Sequence, residues 1–267
     1  MKRSAPILLA LLALAGPASA EHFTWKLVAK PKPRMANFGD IKMTNFAGGE
    51  NMAVLFGGAF VSDALVRAWA EGMMFWARPK LTDYAVVSLF AVPGPADSTF
   101  RKNEFQLDVL AKAIADEARL RNPKLIIFAG HSSGAAVAET TLAALDRVAP
   151  DLFPRIVYYR LDGSGGLSAK LFAKLAGGFC VAAKCAKVSS HNGGACSGKF
   201  KKITLSVPSA DCTSDWCCHV ALINTKPKTK GSGDAKDYAR FDQQSQPNGG
   251  WLVQTSALLK SKSGYGP

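Results

Sequence analysis

"KLIIFAGHSSGAAVAETTLAAL", from Lys124 to Leu145, changes character at its middle. The left half, "LIIFA", is a short continuous apolar run of the kind buried on both sides as a strand. The right half, "GAAVAETTLAAL", has helical spacing and good helix formers. Between them stands Gly130-His131-Ser132-Ser133-Gly134, a G-x-S-x-G string. The string alone is a weak signal, and its plain alternative is a glycine turn with an incidental serine. The strand before it and the helix after it sharpen the reading. A serine at a strict strand-to-helix turn takes a strained backbone, and flanking glycines remove Cβ atoms that would meet neighbouring backbone. Such a turn lifts the hydroxyl clear of the sheet and aims the following amides into the same space. Ser132 is therefore the candidate nucleophile.

The rest of the chain is read outward from this elbow. With 267 residues, 48% of them hydrophobic, it is long enough for one sizeable core. Residues 1–20, "MKRSAPILLALLALAGPASA", read as a signal peptide: Lys2 and Arg3, an apolar run too short for a bilayer span, then Ala18-Ser19-Ala20. The expected mature protein is residues 21–267, a single domain that is secreted or periplasmic, with no later transmembrane segment. All six cysteines, Cys180, Cys185, Cys196, Cys212, Cys217 and Cys218, fall in the second half. In an exported chain an even number reads as disulfides, here stapling C-terminal loops, although six cysteines allow fifteen pairings. Zinc on Cys212, Cys217, Cys218 and His219 is the disfavoured alternative, because adjacent thiols rarely ligate one tetrahedral ion.

Formal net charge is +13, and the lysines gather late, at Lys170, Lys174, Lys184, Lys187, Lys199, Lys201 and Lys202 and again in "KPKTKGSGDAK". Solvated loop charge explains this blandly; the functional reading is attraction to an anionic lipid surface or an acidic polysaccharide. No nucleic-acid motif or basic-aromatic stripe accompanies it, so nucleic acid is not the expected partner.

Strands and helices alternate along the chain. "NMAVLFGGAF" is a strand ending in glycines, and "VSDALVRAWAEGMMFWA" has helical periodicity. "YAVVSLFAVPG" is a strand, and "NEFQLDVLAKAIADEARLRN" an amphipathic helix stopped by Pro123. After the elbow come "RIVYYRLDG" as a strand, "LSAKLFAKLAG" as a helix, a Cys/Gly-rich loop at about 178–200, and "KKITLSVPS" as a last clear strand. Near-continuous apolar strands separated by amphipathic helices predict an α/β fold, a mostly parallel sheet covered on both faces.

A serine hydroxyl needs an oriented base. Of four histidines, His22 lies at the mature N-terminus and His131 is committed to the turn. His191 sits in "SSHNGGACSG" and His219 in "DWCCHVALIN", where Cys217 and Cys218 can pin it; His219 is the favoured base. The base needs a carboxylate, and Asp162, Asp211 and Asp215 all qualify by position. The oxyanion donors expected are the amide of Ser133 and, from "FGGAF", that of Ala59 or Phe60, with Ala59 preferred.

The succession "VLFGGAF", "GHSSGAA", "RLDG" and "CCHVAL" resembles the α/β-hydrolase superfamily in its chain order of Ser, Asp, His, over roughly residues 51 to 222. "RLDG" after the elbow's next strand, and a histidine two residues beyond a cysteine, resemble the acid and base sites of pancreatic-type lipases. The resemblance thus points to Asp162 and His219. "TSDWCC" resembles the acid loop of cutinase-like esterases and would favour Asp215 instead. The chain departs from those lipases in reading G-H-S-S-G for G-H-S-L-G and G-G-A for H-G-F. Their lid has no counterpart unless "GGFCVAAKCAKVSSHNGGACSG" serves. The resemblance implies an exported serine esterase or lipase using no metal or organic cofactor. Its substrate would be a small-molecule, lipid or polymer ester. Its rivals are amide or thioester cleavage on the same fold, and a non-catalytic cationic binding protein.

Overall fold

The structure, a computed structural model, describes residues 22–25, 41–45, 49–59, 61, 66, 86–94, 106–163, 165–185, 200–206, 218–219 and 222–223. Among them run eight strands: β1 (His22–Trp25), β2 (Ile41–Asn45), β3 (Asn51–Phe56), β4 (Val86–Val92), β5 (Leu125–His131), β6 (Ile156–Leu161), β7 (Gly177–Lys184) and β8 (Lys201–Ser206). The helices are α1 (Leu107–Arg121), α2 (Gly134–Val148) and the single turn α3 (Ala169–Phe172), with a 3-10 helix at Pro150–Arg155. One sheet holds all eight strands in the order β1-β2-β4-β3-β5-β6-β7-β8. The strands from β4 to β8 are mutually parallel, while β2 runs antiparallel to β4 and β1 antiparallel to β2.

The central strands read as unbroken apolar runs because both their faces are covered. Ala53, Leu55, Ile127, Ala129, Val157 and Tyr159 point into one core with Val66, Cys218, Leu222 and Ile223. Met52, Val54, Phe56, Ile126, Phe128 and Tyr158 alternate to the other face and pack beneath α1 and α2. Strand β3 is the hinge of the topology. The chain moves from β3 to β4 on one side, then crosses to β5 on the other and continues outward to β8. Segments leaving the carboxyl ends of β3 and β5 go to opposite faces, Val66 to one core and α2 to the other. A crevice at such a switch point is where open parallel sheets bind ligands. The architecture is the expected α/β one, a mostly parallel sheet with helices packed on it.

Three local readings change. The first part of the expected Cys/Gly-rich loop, Gly177–Lys184, is a buried strand paired on both sides. The helix expected in "LSAKLFAKLAG" shrinks to one turn, capped by Ser168, whose side chain accepts from the Leu171 amide. Strands β1 and β2 precede the first one expected. The expected signal peptide, most of "VSDALVRAWAEGMMFWA", Phe60, His191, Asp211, Asp215 and the late lysine-rich stretch lie outside the described residues. No described helix is long and apolar enough to cross a membrane.

Candidate active site

β5 ends at His131, and the next residue, Ser132, has φ 55°, left-handed backbone that a side chain ordinarily avoids. Two bonds clamp it there. Its amide donates to the carbonyl of Leu161 at the end of β6 (3.0 Å), and its carbonyl accepts from the Ala135 amide (3.1 Å). Ser133 returns to helical backbone and stands at the N-cap position of α2, making no side-chain capping bond. The flanking glycines are steric requirements. A Cβ at Gly134 would lie 2.3 Å from the carbonyl oxygen of Gly57, and one at Gly130 would lie 2.6 Å from the Cα of Ala135. The helix thus starts pressed against both its own strand and β3, with Ser132 half-buried at the bend.

β6 pairs with β5 in register, His131 opposite Leu161, so the residue after β6 stands beside the elbow. That residue is Asp162, again with positive φ (41°), its amide donating to Val181 on β7 (2.7 Å). Its side chain is buried and accepts a hydrogen bond from Nδ1 of His219. An Nδ1–H pointed at a carboxylate makes Nε2 the acceptor nitrogen of the neutral ring. His219 is itself buried, in a helical turn with Cys218, and Cys218 is disulfide-bonded to Cys185 just past the end of β7. Cys218 is therefore a disulfide sulfur, not a thiolate available to zinc. Cys180 is also in a disulfide.

His131 lies beside this pair. Its ring centroid is 4.3 Å from that of His219, and its Nε2 donates to the backbone carbonyl of His219 (3.0 Å). Burial, and next the neighbouring His219, hold its pKa well below the ordinary value of 6.5, against the smaller upward pull of the carbonyl bond. On the β3 side, a Cβ at Gly58 would stand 2.9 Å from Cβ of Ser132, so the main chain there approaches the elbow closely. The Val61 amide bonds the Gly58 carbonyl (3.1 Å), closing a tight turn that carries Ala59.

Asp162 and His219 thus meet at the carboxyl ends of β5 and β6, next to the bend that carries Ser132 and Ser133, and the backbone at Gly58, just before Ala59, approaches that bend from the β3 side. Behind Asp162 lies a cluster that sequence reasoning missed. Arg160, on β6, pairs with Glu139 on α2 (2.8 and 2.5 Å), and Tyr158 donates to the same carboxylate oxygen (3.0 Å). Burial, reinforced by Glu139, pushes the Tyr158 phenol well above its usual range. Gly165 presses on that carboxylate from the loop after Asp162, where a Cβ would stand 2.4 Å from Oε2. The only sequence signal for it was charge inside otherwise apolar elements, Arg160 in "RIVYYRLDG" and Glu139 in "GAAVAETTLAAL".

No protein-family model matches the chain, and no curated protein matches it. Among solved structures it is similar to carboxyl esterase 2 from the mycorrhizal fungus Tuber melanosporum, at 10% identity over 62% of this chain and 67% of that one, TM-score 0.39. It is similar also to dienelactone hydrolase from Anabaena variabilis, at 10% identity over 62% of this chain and 74% of that one, TM-score 0.34. At such identities and scores these likenesses carry no functional weight.

Proposed function

We propose that the protein is an exported serine hydrolase that cleaves carboxylic esters through an acyl-enzyme on Ser132. The observation that carries this reading is the buried Asp162–His219 pair set beside a left-handed serine at a strand-to-helix bend. In this mechanism Nε2 of His219 takes the Ser132 proton as the oxygen attacks the ester carbonyl. Asp162 holds the ring's tautomer and stabilises the imidazolium without itself taking the proton. The amides of Ala59 and Ser133 donate to the tetrahedral oxyanion, the Ser133 amide being one of the donors a helix N-terminus leaves without an internal partner. The imidazolium then protonates the leaving alkoxide, and the same imidazole activates the water that releases the acid.

The pairing of His219 with Asp162 favours the lipase-like assignment of the acid over the cutinase-like one. Export is supported by the N-terminal sequence and by the Cys185–Cys218 disulfide, a bond suited to an oxidising compartment. The experiment is turnover of short-chain p-nitrophenyl esters together with fluorophosphonate labelling mapped by peptide mass. Wild type hydrolyses and labels at Ser132, while Ser132→Ala does neither. A wild-type protein inert in both assays over a range of acyl lengths removes the proposal, leaving the non-catalytic binding protein.

A further inference from the structure

We propose that His131 is a positioning residue, whose Nε2–H holds the main-chain carbonyl of His219 and so keeps that imidazole aligned between Asp162 and Ser132. The proposal rests on the reading of Ser132, His219 and Asp162 as a catalytic set. His131 is 2% exposed, and its bond to His219 spans 88 positions of sequence. One residue therefore links three separate segments of the site. Its backbone ends β5 and precedes Ser132. Its Nδ1 would lie 3.0 Å from a Cβ at Gly58, and its Nε2 reaches the segment that carries the base.

The ring's second nitrogen explains why a packing role is insufficient. Nδ1 is buried and finds no hydrogen-bond partner among the described residues. An aliphatic side chain would fill the same volume without burying an unpaired acceptor, which costs free energy. The polar ring is accounted for by what Nε2 does. With Nε2 donating and Nδ1 unpartnered, the ring is neutral and in a single tautomer. Protonating it would place a second cation against the imidazolium that forms on His219, and its depressed basicity keeps it neutral there. Nor is His131 a rival base: its Nε2 is engaged by a carbonyl, and the carboxylate Asp162 is bonded to His219.

The test compares His131→Gln, His131→Asn and His131→Leu. A glutamine amide nitrogen reaches about as far as Nε2, an asparagine one only to the place of Nδ1, and leucine donates nothing. In ester turnover His131→Gln restores most of the wild-type kcat. His131→Asn and His131→Leu lose about 10- to 100-fold in kcat with little change in KM, the penalty of a displaced base. Proton NMR supplies a readout independent of turnover: the low-field signal of the proton between His219 and Asp162 persists in wild type and His131→Gln and broadens in the other two. Equal kcat in all three variants, or loss in His131→Gln as large as in His131→Leu, overturns the proposal. Should the wild type prove inert, the catalytic reading fails, while the NMR comparison still decides whether His131 orders His219. If His131→Leu does not fold by circular dichroism, the Gln and Asn variants alone decide it.

Discussion

Ser132 and Asp162 occupy the same place on neighbouring strands, and both hold left-handed backbone (φ 55° and 41°). Such a conformation costs a non-glycine residue on the order of 1–3 kcal/mol and persists only where surroundings over-determine it. Here each residue is held by a main-chain bond to the next strand, Ser132 to Leu161 and Asp162 to Val181. The positive φ bends the chain sharply where both strands end, leaving Ser132 half-buried and the Asp162 carboxylate on His219. His131 lies beside them and has a thermodynamic signature of its own. Its native pKa is depressed well below 6.5, so between those two values the unfolded chain binds a proton that the native one does not. Stability contributed by the neutral ring is complete above pH 6.5 and falls as the pH drops below it. The slope approaches about 1.4 kcal/mol per pH unit until the native ring also titrates. Urea titrations of wild type and His131→Gln between about pH 5 and 7.5 check this. The wild-type curve is steeper on the acid side, and parallel curves would assign the slope to other groups.

At the scale of elements, the start of α2 decides where the serine stands. Gly134→Ala offers a helix-propensity gain of about 1 kcal/mol. Against it stands a Cβ driven to 2.3 Å from the Gly57 carbonyl, a backbone atom fixed in the β3 connection. Overpacking of that kind costs about 1–3 kcal/mol. The clash outweighs the gain, and Gly134→Ala loses up to about 2 kcal/mol in urea unfolding and most of its ester turnover. A stability increase would mean that α2 has room to move. This glycine was legible beforehand, because G-x-S-x-G between an apolar run and a helical run has few structural explanations. The strands β3 to β6 were legible for a related reason: burial on both faces writes them as unbroken apolar words. β7 was not. "GGFCVAAK" carries two glycines and a cysteine next to a run of loop-forming residues, and composition resembles a loop. The structure supplies the missing reason, since a Cβ at Gly178 would stand 2.3 Å from the ring of Phe172, so the glycine admits a packed aromatic. β1 and β2 are short and lie at the antiparallel edge, where pairing leaves the weakest mark on sequence. The Asp162–His219 partnership needed the resemblance or the coordinates, because Asp162, Asp211 and Asp215 were equivalent by position. His131 was read as belonging to the turn, and its bond to a residue 88 positions away had no local trace.

Across the whole molecule, a disulfide ties the segment that carries His219 to the end of β7. Cys185 leaves β7 and Cys218 precedes the base, with 33 positions between them. In the chain-entropy picture a loop of that length is worth roughly 3–4 kcal/mol to the native state. Cys185→Ala paired with Cys218→Ala is expected to lower unfolding stability by about that amount, a large fraction of the total stability of many domains. Ester turnover falls further than stability alone predicts, since His219 loses its anchor at the neighbouring position. Full activity in the double variant at a temperature where it is folded would show that Asp162 and His131 suffice to hold the base.

The switch point between β3 and β5 also has a consequence for how the protein comes into being. Its parallel partners are joined by a long crossover, and the bonds from His219 to Asp162 and His131 close over 57 and 88 positions. Contacts so distant along the chain are slow to form, because loop closure must precede any reward. A nascent chain that has emerged only as far as β6 carries a serine and an acid but no base. On the proposed reading, hydrolytic chemistry cannot begin before residue 219 has been made and has folded back onto Asp162, so the nascent chain stays inert up to that point.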